Sequence, residues 1–287
     1  MKAILALVLL FPGCCFPLQA DGGFYLNDAS RVLIYGDDPA RPQLDAAFLE
    51  TYIATRFPDK EVEIISLQRD AAPEPGILAV KPAVLVLLGG NNPTYSESNE
   101  LTSKLKAAMP SLRVTMMPFL APQFRAPADA SLDLLVSWNA PAVVSVVEID
   151  AAAKRVVRSE NTTVRELESD LVVAWSQDDR SLPLPAGVAA GGVTRMARMA
   201  KINIETLQVR GLGSGQYRLS IDGWSMGEFW RESFENGIDL TQLPTPMLKQ
   251  ADRVRALMLE REESKRGEWR QAAIPPTHDY EIARVTQ

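Results

Sequence analysis

The chain has 287 residues, with 30 basic and 36 acidic side chains and a formal net charge of −6. It is 46% hydrophobic and 23% charged, a globular balance with ample length for a real core, in one large domain or two ordinary ones. The acidic surplus argues against nucleic acid, which is met by a basic face, and no basic amphipathic helix is present for a membrane surface.

Residues 1–20 read as a secretory leader. Lys2 supplies the positive start, residues 3–11 the apolar run, and Pro17-Leu18-Gln19-Ala20 a cleavage site ending in a small residue. The run is too short to cross a hydrocarbon layer of ~30 Å. The expected location is therefore secreted or periplasmic. A lipoprotein anchored at Cys14 or Cys15 is the alternative, disfavoured by Pro12 before Gly13. Both cysteines of the chain lie in this leader, so a mature chain starting at Asp21 would carry no disulfide and no thiolate site.

Arg31-Val32-Leu33-Ile34-Tyr35-Gly36-Asp37-Asp38 is the first structured signal. Four apolar residues stopped by glycine predict a strand buried on both faces. Leu44, Phe48 and Tyr52, with Leu49, Ile53 and Phe57 beside them, predict a helix over 42–57, with Pro42 in its first turn and Pro58 ending it. Strands follow at 62–67, 83–88 and 112–117, with a short crossover at 68–82 and helices over 98–109 and 131–139. Alternating strands and helices of this kind give a parallel sheet between helical layers. Residues 118–129 read as a loop.

After Pro141 the period changes to strands: 143–149 and 155–159 around a hairpin turn, then 171–176, 207–210 and 217–221. Residues 181–192, rich in proline and glycine, read as a linker. A long helix is predicted from Met247 to about Trp269, and everything from Ala272 onward reads as a loose tail.

Gly36-Asp37-Asp38 and Gly89-Gly90-Asn91-Asn92 both stand at carboxyl ends of predicted strands, where ligands meet parallel sheets. Together they resemble the SGNH, or GDSL-type, hydrolases, esterases and lipases of a flavodoxin-like α/β fold. Gly36 and Asp37 match the first two letters of that family's Gly-Asp-Ser block, and Gly89-Gly90-Asn91 its Gly-x-Asn-Asp block, whose asparagine is an oxyanion donor. The segments 140–150, 217–223 and 243–247 look like a β-rich extension of some secreted bacterial members, so the resemblance spans roughly 24–270.

The departures decide what the resemblance implies. Asp38 stands where the nucleophilic serine belongs, Asn92 replaces an aspartate, and 66–72 lacks the second block's glycine donor. The family's Asp-x-x-His block should lie in 119–139, which holds no histidine; the sole histidine is His278, in the expected tail. Acyl transfer needs a nucleophile, a base within reach and an orienting acid. The expectation is therefore a pseudo-hydrolase that binds a saccharide or an acylated small ligand. Its rivals are an active esterase on acylated carbohydrates, and a Mg²⁺-dependent hydrolase using Asp37 and Asp38. Against the last, an aspartate after a strand-ending glycine is a routine loop residue. No cofactor is implied.

Weaker signals remain. Trp224, Phe229 and Trp230 offer either an aromatic platform for a glycan or ordinary packing. Gly211-x-Gly213-x-Gly215 reads as a hairpin turn and Asn161-Thr162-Thr163 as a glycosylation acceptor in a eukaryotic secretory route. The expected organisation is a leader (1–20), a shortened SGNH-like α/β domain (24–142), a β-rich accessory region with a C-terminal helix (143–271) and a tail (272–287).

Overall fold

The computed structural model describes residues 24–26, 31–36, 46–68, 73–88, 95–117, 127–185, 199–260 and 266–285. Four strands, β1 (Arg31–Gly36), β2 (Glu63–Gln68), β3 (Val84–Leu88) and β4 (Arg113–Met117), form one all-parallel sheet in the order β2-β1-β3-β4. Between them run α1 (Ala46–Arg56), α2 (Pro73–Val80) and α3 (Tyr95–Ala108), and α4 (Pro127–Ser137) follows β4. The apolar run of β1 is buried throughout because both faces are covered, as the sequence reading expects. Val32 and Ile34 face Phe48, Leu49 and Tyr52 of α1 and Leu132 and Leu135 of α4. Leu33 and Tyr35 face Ile77 of α2 and Leu105 of α3.

The second half is built from β5 (Val143–Asp150), β6 (Arg155–Glu160), β7 (Thr162–Ser169), β8 (Val172–Asp179), β9 (Ile204–Arg210), β10 (Gln216–Ile221) and β11 (Trp224–Trp230). They are followed by α5 (Arg231–Asn236), β12 (Ile238–Asp239), α6 (Pro246–Leu259), α7 (Arg266–Ala273) and β13 (Thr277–Arg284). One sheet is mixed, in the order β12-β9-β5-β6, and the other antiparallel, β11-β10-β13-β8-β7. Their inward residues, among them Val147, Leu207 and Val209 against Trp175, Leu219, Tyr280 and Ile282, share one core with Phe234 of α5 and Met247, Ala251 and Val254 of α6. Thr245 caps α6 by accepting from the Leu248 amide at 3.1 Å, with Pro246 in the first turn.

Two expectations fail here. The region from Ala272 is not a loose tail: β13 lies between β10 and β8 and pairs with both. Its alternation, His278, Tyr280 and Ile282 inward against Asp279 and Glu281 outward, is a half-buried strand pattern hidden behind Pro275-Pro276. The long predicted helix is two helices. The first stops at its C-cap Glu260 and the second resumes at Arg266, and both pack on each other and on α1. Among the described residues, no helix is long and apolar enough to cross a membrane.

Candidate functional site

Of the residues that carry the predicted site, Gly36 is described; Asp37, Asp38, Gly89, Gly90, Asn91 and Asn92 lie outside the described residues. Gly36 ends β1, and β1 and β3 are parallel neighbours, so the two predicted blocks leave adjacent strands at the same edge of the sheet. Gly36 also has a packing reason to be glycine. A Cβ there would sit 2.8 Å from the Leu88 Cβ, closer than two carbons approach, so the two strand ends touch only because the side chain is absent. Among the described residues no group of three or more His, Cys, Asp or Glu is placed to hold a metal.

His278 sits elsewhere. It is 3% exposed on the inner face of β13, paired in register with Gln177. Its Nδ1 lies 2.7 Å from Asp222 Oδ2, and Asp222 Oδ1 accepts from the Asp279 amide at 2.9 Å. The turn explains the reach. Asp222 and Gly223, with φ of 52° and 76°, make the two-residue turn between β10 and β11, where aspartate-glycine is favoured because both positions are left-handed. The turn lays the Asp222 carboxylate across the start of β13. His278 Nε2 is buried and makes no hydrogen bond among the described residues.

Around that imidazole lies a polar group that the sequence reading misses. Trp175 Nε1 donates to Gln177 Oε1 at 3.1 Å, and Gln177 Nε2 donates to Asp179 Oδ1 at 2.8 Å, a ladder along the inner face of β8. Asp179 is itself buried, with the Thr162 and Ser145 hydroxyls also toward its carboxyl. Burial pushes the Asp179 carboxyl up, opposed by hydrogen bonds from Gln177 and Thr162, by the charge of His278 and by a hydrogen bond from Ser145. Facing it from β9 is Glu205, 0% exposed, in register with the buried Ser145 of β5 and, among the described residues, with neither carboxylate oxygen hydrogen-bonded. Burial first, and then the negative charge of Asp179, push Glu205 to about 8, with Arg56 opposing and Asp239 adding to the rise.

Arg56, the last residue of α1, closes the group. Its guanidinium donates to the Leu182 carbonyl, to the Ile202 carbonyl at 2.9 Å and to Asn203 Oδ1 at 2.8 Å. Asn203 Oδ1 also accepts from the Leu184 amide at 2.8 Å, so one side chain gathers three segments. α1 ends shortly before β2 begins, and β2 starts level with the first residue of β1. The polar group therefore lies toward the amino ends of the parallel sheet, separated by a helix of about 16 Å from the edge where Gly36 delivers the chain. A partial signal is present in the sequence: alternation through Trp175, Gln177 and Asp179 marks a strand whose buried face turns polar at one end.

The aromatic candidates are placed but not brought together. Trp224 opens β11 and Trp230 closes it, 67% and 58% exposed, about 20 Å apart at strand spacing. Lys249 Nζ lies 5.6 Å from the centre of the Trp224 ring. Phe229 instead packs inward, 5.8 Å edge-on to Phe234. Asn161 is committed internally: its Nδ2 donates to the Val144 carbonyl at 2.7 Å and Ser181 Oγ at 2.8 Å, so the folded chain does not present it as a glycan acceptor.

The chain matches no protein-family model and no curated protein. Among solved structures it is similar to a gut microbial diltiazem-metabolizing enzyme, with 15% identity and a TM-score of 0.70. The fold is shared. The likeness covers 89% of this chain and 98% of that one, so it takes in the β-rich half as well as the parallel sheet.

The described residues thus divide into two places with different chemistry. The strand ends at Gly36 and Leu88 are where a parallel sheet meets a ligand. The group of Arg56, Asp179, Glu205 and His278 is enclosed between sheets.

Proposed function

We propose that this chain is a secreted or periplasmic, SGNH-hydrolase-like pseudo-hydrolase, a scaffold that binds a saccharide or an acylated small ligand without turning it over. The parallel order β2-β1-β3-β4 with helices on both faces fits the flavodoxin-like layering that the resemblance implies. The observation that carries the reading is the position of His278. The only imidazole in the chain is 3% exposed, engaged by Asp222, and enclosed with Arg56's end of α1. A general base must come within about 3 Å of the proton it takes. With Asp38 in the nucleophile's place and the imidazole spent on structure, the strand-end site lacks two of the three parts of an acyl-transfer triad.

The test is hydrolysis. Purified mature protein given 4-nitrophenyl acetate and acetylated xylan should release nothing beyond an Asn91→Ala control. Release above that control would replace this reading with an active esterase. One observation favours that rival: the shared fold belongs to an enzyme that metabolizes a small molecule, diltiazem. Diltiazem recovered unchanged after incubation supports the non-catalytic reading, and its conversion sinks it. Binding is read separately, on a glycan array with Trp224→Ala and Trp230→Ala, whose rings are far enough apart to fail independently.

A further inference from the structure

The three aromatic side chains of β11 take different sides of the sheet. Trp230 pairs in register with Gln216 of β10, whose alternate neighbours Tyr217, Leu219 and Ile221 are the buried ones. The Trp230 indole, 58% exposed, therefore stands on the outer face of the antiparallel sheet. Phe229 turns inward, and Trp224 pairs with the buried Ile221, on the opposite face and at the other end of the strand. Lys249 lies over the Trp224 ring, whereas among the described residues neither a cation nor another ring lies against that of Trp230. Exposure alone does not make a site; the setting of this ring does.

β11 is the last strand of its sheet, yet it is a poor template for an added strand. Met226 is an extra residue between the Ser225–Ser220 and Gly227–Leu219 pairs, and Gly227 stands at φ 138°, so the free edge is bulged midway. The backbone under the indole is held on both sides. Trp230 sits opposite Gln216 in the ladder, and the next amide, that of Arg231, donates to the Gly215 carbonyl at 3.1 Å. Two residues along the same face, Arg218 donates to Glu228 at 2.7 Å. Arg231 is ion-paired with Glu232 at 2.9 Å and Glu235 at 3.6 Å. The cations beside the indole are thus answered by carboxylates, while the guanidinium and carboxylate of the Arg218–Glu228 pair keep further donors and acceptors turned to water.

We propose that this outer face is a saccharide subsite: the Trp230 indole carries the apolar face of a neutral pyranose, and Gln216 with the Arg218–Glu228 pair meets its hydroxyls. The inference rests on the proposed function for the class of ligand, and it gives that ligand a place in the β-rich half rather than at Gly36 and Leu88. A ring stacked on an indole needs one flat apolar side and a polar edge. A pyranose whose hydroxyls are all equatorial has both, since its axial C–H bonds point to the faces and its hydroxyls to the rim. Chains of β-linked xylose or glucose are of this class. The paired charges favour a neutral chain over a polyanion or a polycation. Trp224 lies outside the subsite, on the other face and beneath Lys249.

Native affinity electrophoresis of the whole protein, through gels holding xylan, a mixed-linkage β-glucan, polygalacturonate or chitosan, reads the site. Xylan or the β-glucan should retard the wild type. Trp230→Ala should bind about tenfold or more weakly, with Trp230→Phe between the two. Arg218→Met should also weaken binding, and Trp224→Ala should bind as the wild type does. Near-ultraviolet circular dichroism of the stacked Trp175–Tyr280 pair checks that each variant is folded. If Trp230→Ala does not fold, Trp230→Phe and the wild-type gels decide. No retardation by either neutral chain, equal losses in Trp224→Ala and Trp230→Ala, or stronger retardation by a charged polymer overturns the proposal. So does a dimer that Trp230→Ala dissolves, which would give the ring to a second copy of the chain. Hydrolysis is a separate readout: ester release would sink the non-catalytic reading and leave this subsite standing, whereas absent binding would sink the subsite alone.

Discussion

Asp222 and His278 stand 56 positions apart in the sequence and 2.7 Å apart in the fold, Oδ2 to Nδ1. A carboxylate orienting an imidazole is familiar from catalytic triads, yet here the pair ties a hairpin turn to the middle strand of an antiparallel sheet. The same carboxylate takes the Asp279 amide, so Asp222 substitutes for a missing rung where the turn overhangs β13.

Asp222→Ala should therefore destabilise the protein by about 1–3 kcal/mol, the usual cost of leaving buried donors unmet. Asp222→Asn, which keeps one acceptor and tolerates the left-handed φ of 52°, should cost less. Urea unfolding of both variants checks the order. Equal losses would mean that the carboxylate's charge, which both variants remove, sets the effect, and not an acceptor that an amide can supply.

Deleting residues 277–287 should abolish cooperative folding. The deletion strips β10 and β8 of their shared partner and removes His278, Tyr280 and Ile282 from the core. A thermal melt by near-ultraviolet circular dichroism, which sees Trp175 stacked 5.0 Å on Tyr280, is the measurement. A native-like transition in the truncated chain would restore the tail reading.

Gly36→Ala places a Cβ 2.8 Å from that of Leu88 and should cost about 1–3 kcal/mol through overpacking. Leu88→Ala in the same chain should recover part of that loss, a coupling visible in a double-mutant cycle. Strict additivity would place the strain elsewhere.

Arg56→Met should cost about 3–5 kcal/mol, since it removes three hydrogen bonds and the cation that opposes the rise of Glu205. It should also raise the midpoint of the Glu205 titration, because Arg56 is what holds that carboxyl down. Asp179→Asn should lower the same midpoint by removing a like charge. Lysine at position 56 should rescue poorly, as one ammonium cannot span three acceptors held in a planar fork.

Overall stability should fall with rising pH between about 4.5 and about 8, by at most about 1.4 kcal/mol per unit from Glu205. The sign follows from a carboxyl raised in the folded state: its contribution is full below the unfolded value and lost on the way up to the folded one. Denaturant midpoints across that range, compared between wild type and Glu205→Gln, isolate the share of this one group.

Much of the parallel half is legible in the sequence because its signals are local. Val32 to Tyr35 and Val84 to Leu88 are continuous apolar runs, and such runs fit a strand covered on both faces wherever the chain later goes. The hairpin at Asp150 to Lys154 and the change of period after Pro141 are likewise short-range patterns. What went unread has long-range causes. β7 carries Arg165, Glu166 and Glu168 and is a strand chiefly because β8 pairs with it. β13 follows two prolines at the end of the chain, where nothing local reveals the gap between β10 and β8 that it fills.

By itself the sequence determined the order of strands and helices in the first half, the acidic balance, and the lack of any histidine other than His278. Those are properties of composition and nearest-neighbour pattern. Only the tertiary structure decided that this histidine is enclosed, that Asp222 holds it, and that Arg56 and Glu205, 149 positions apart in the numbering, share one buried site. The reason is physical: a side chain's charge state and partners depend on what the fold brings around it and how much water it shuts out, and neither is a property of its neighbours along the chain.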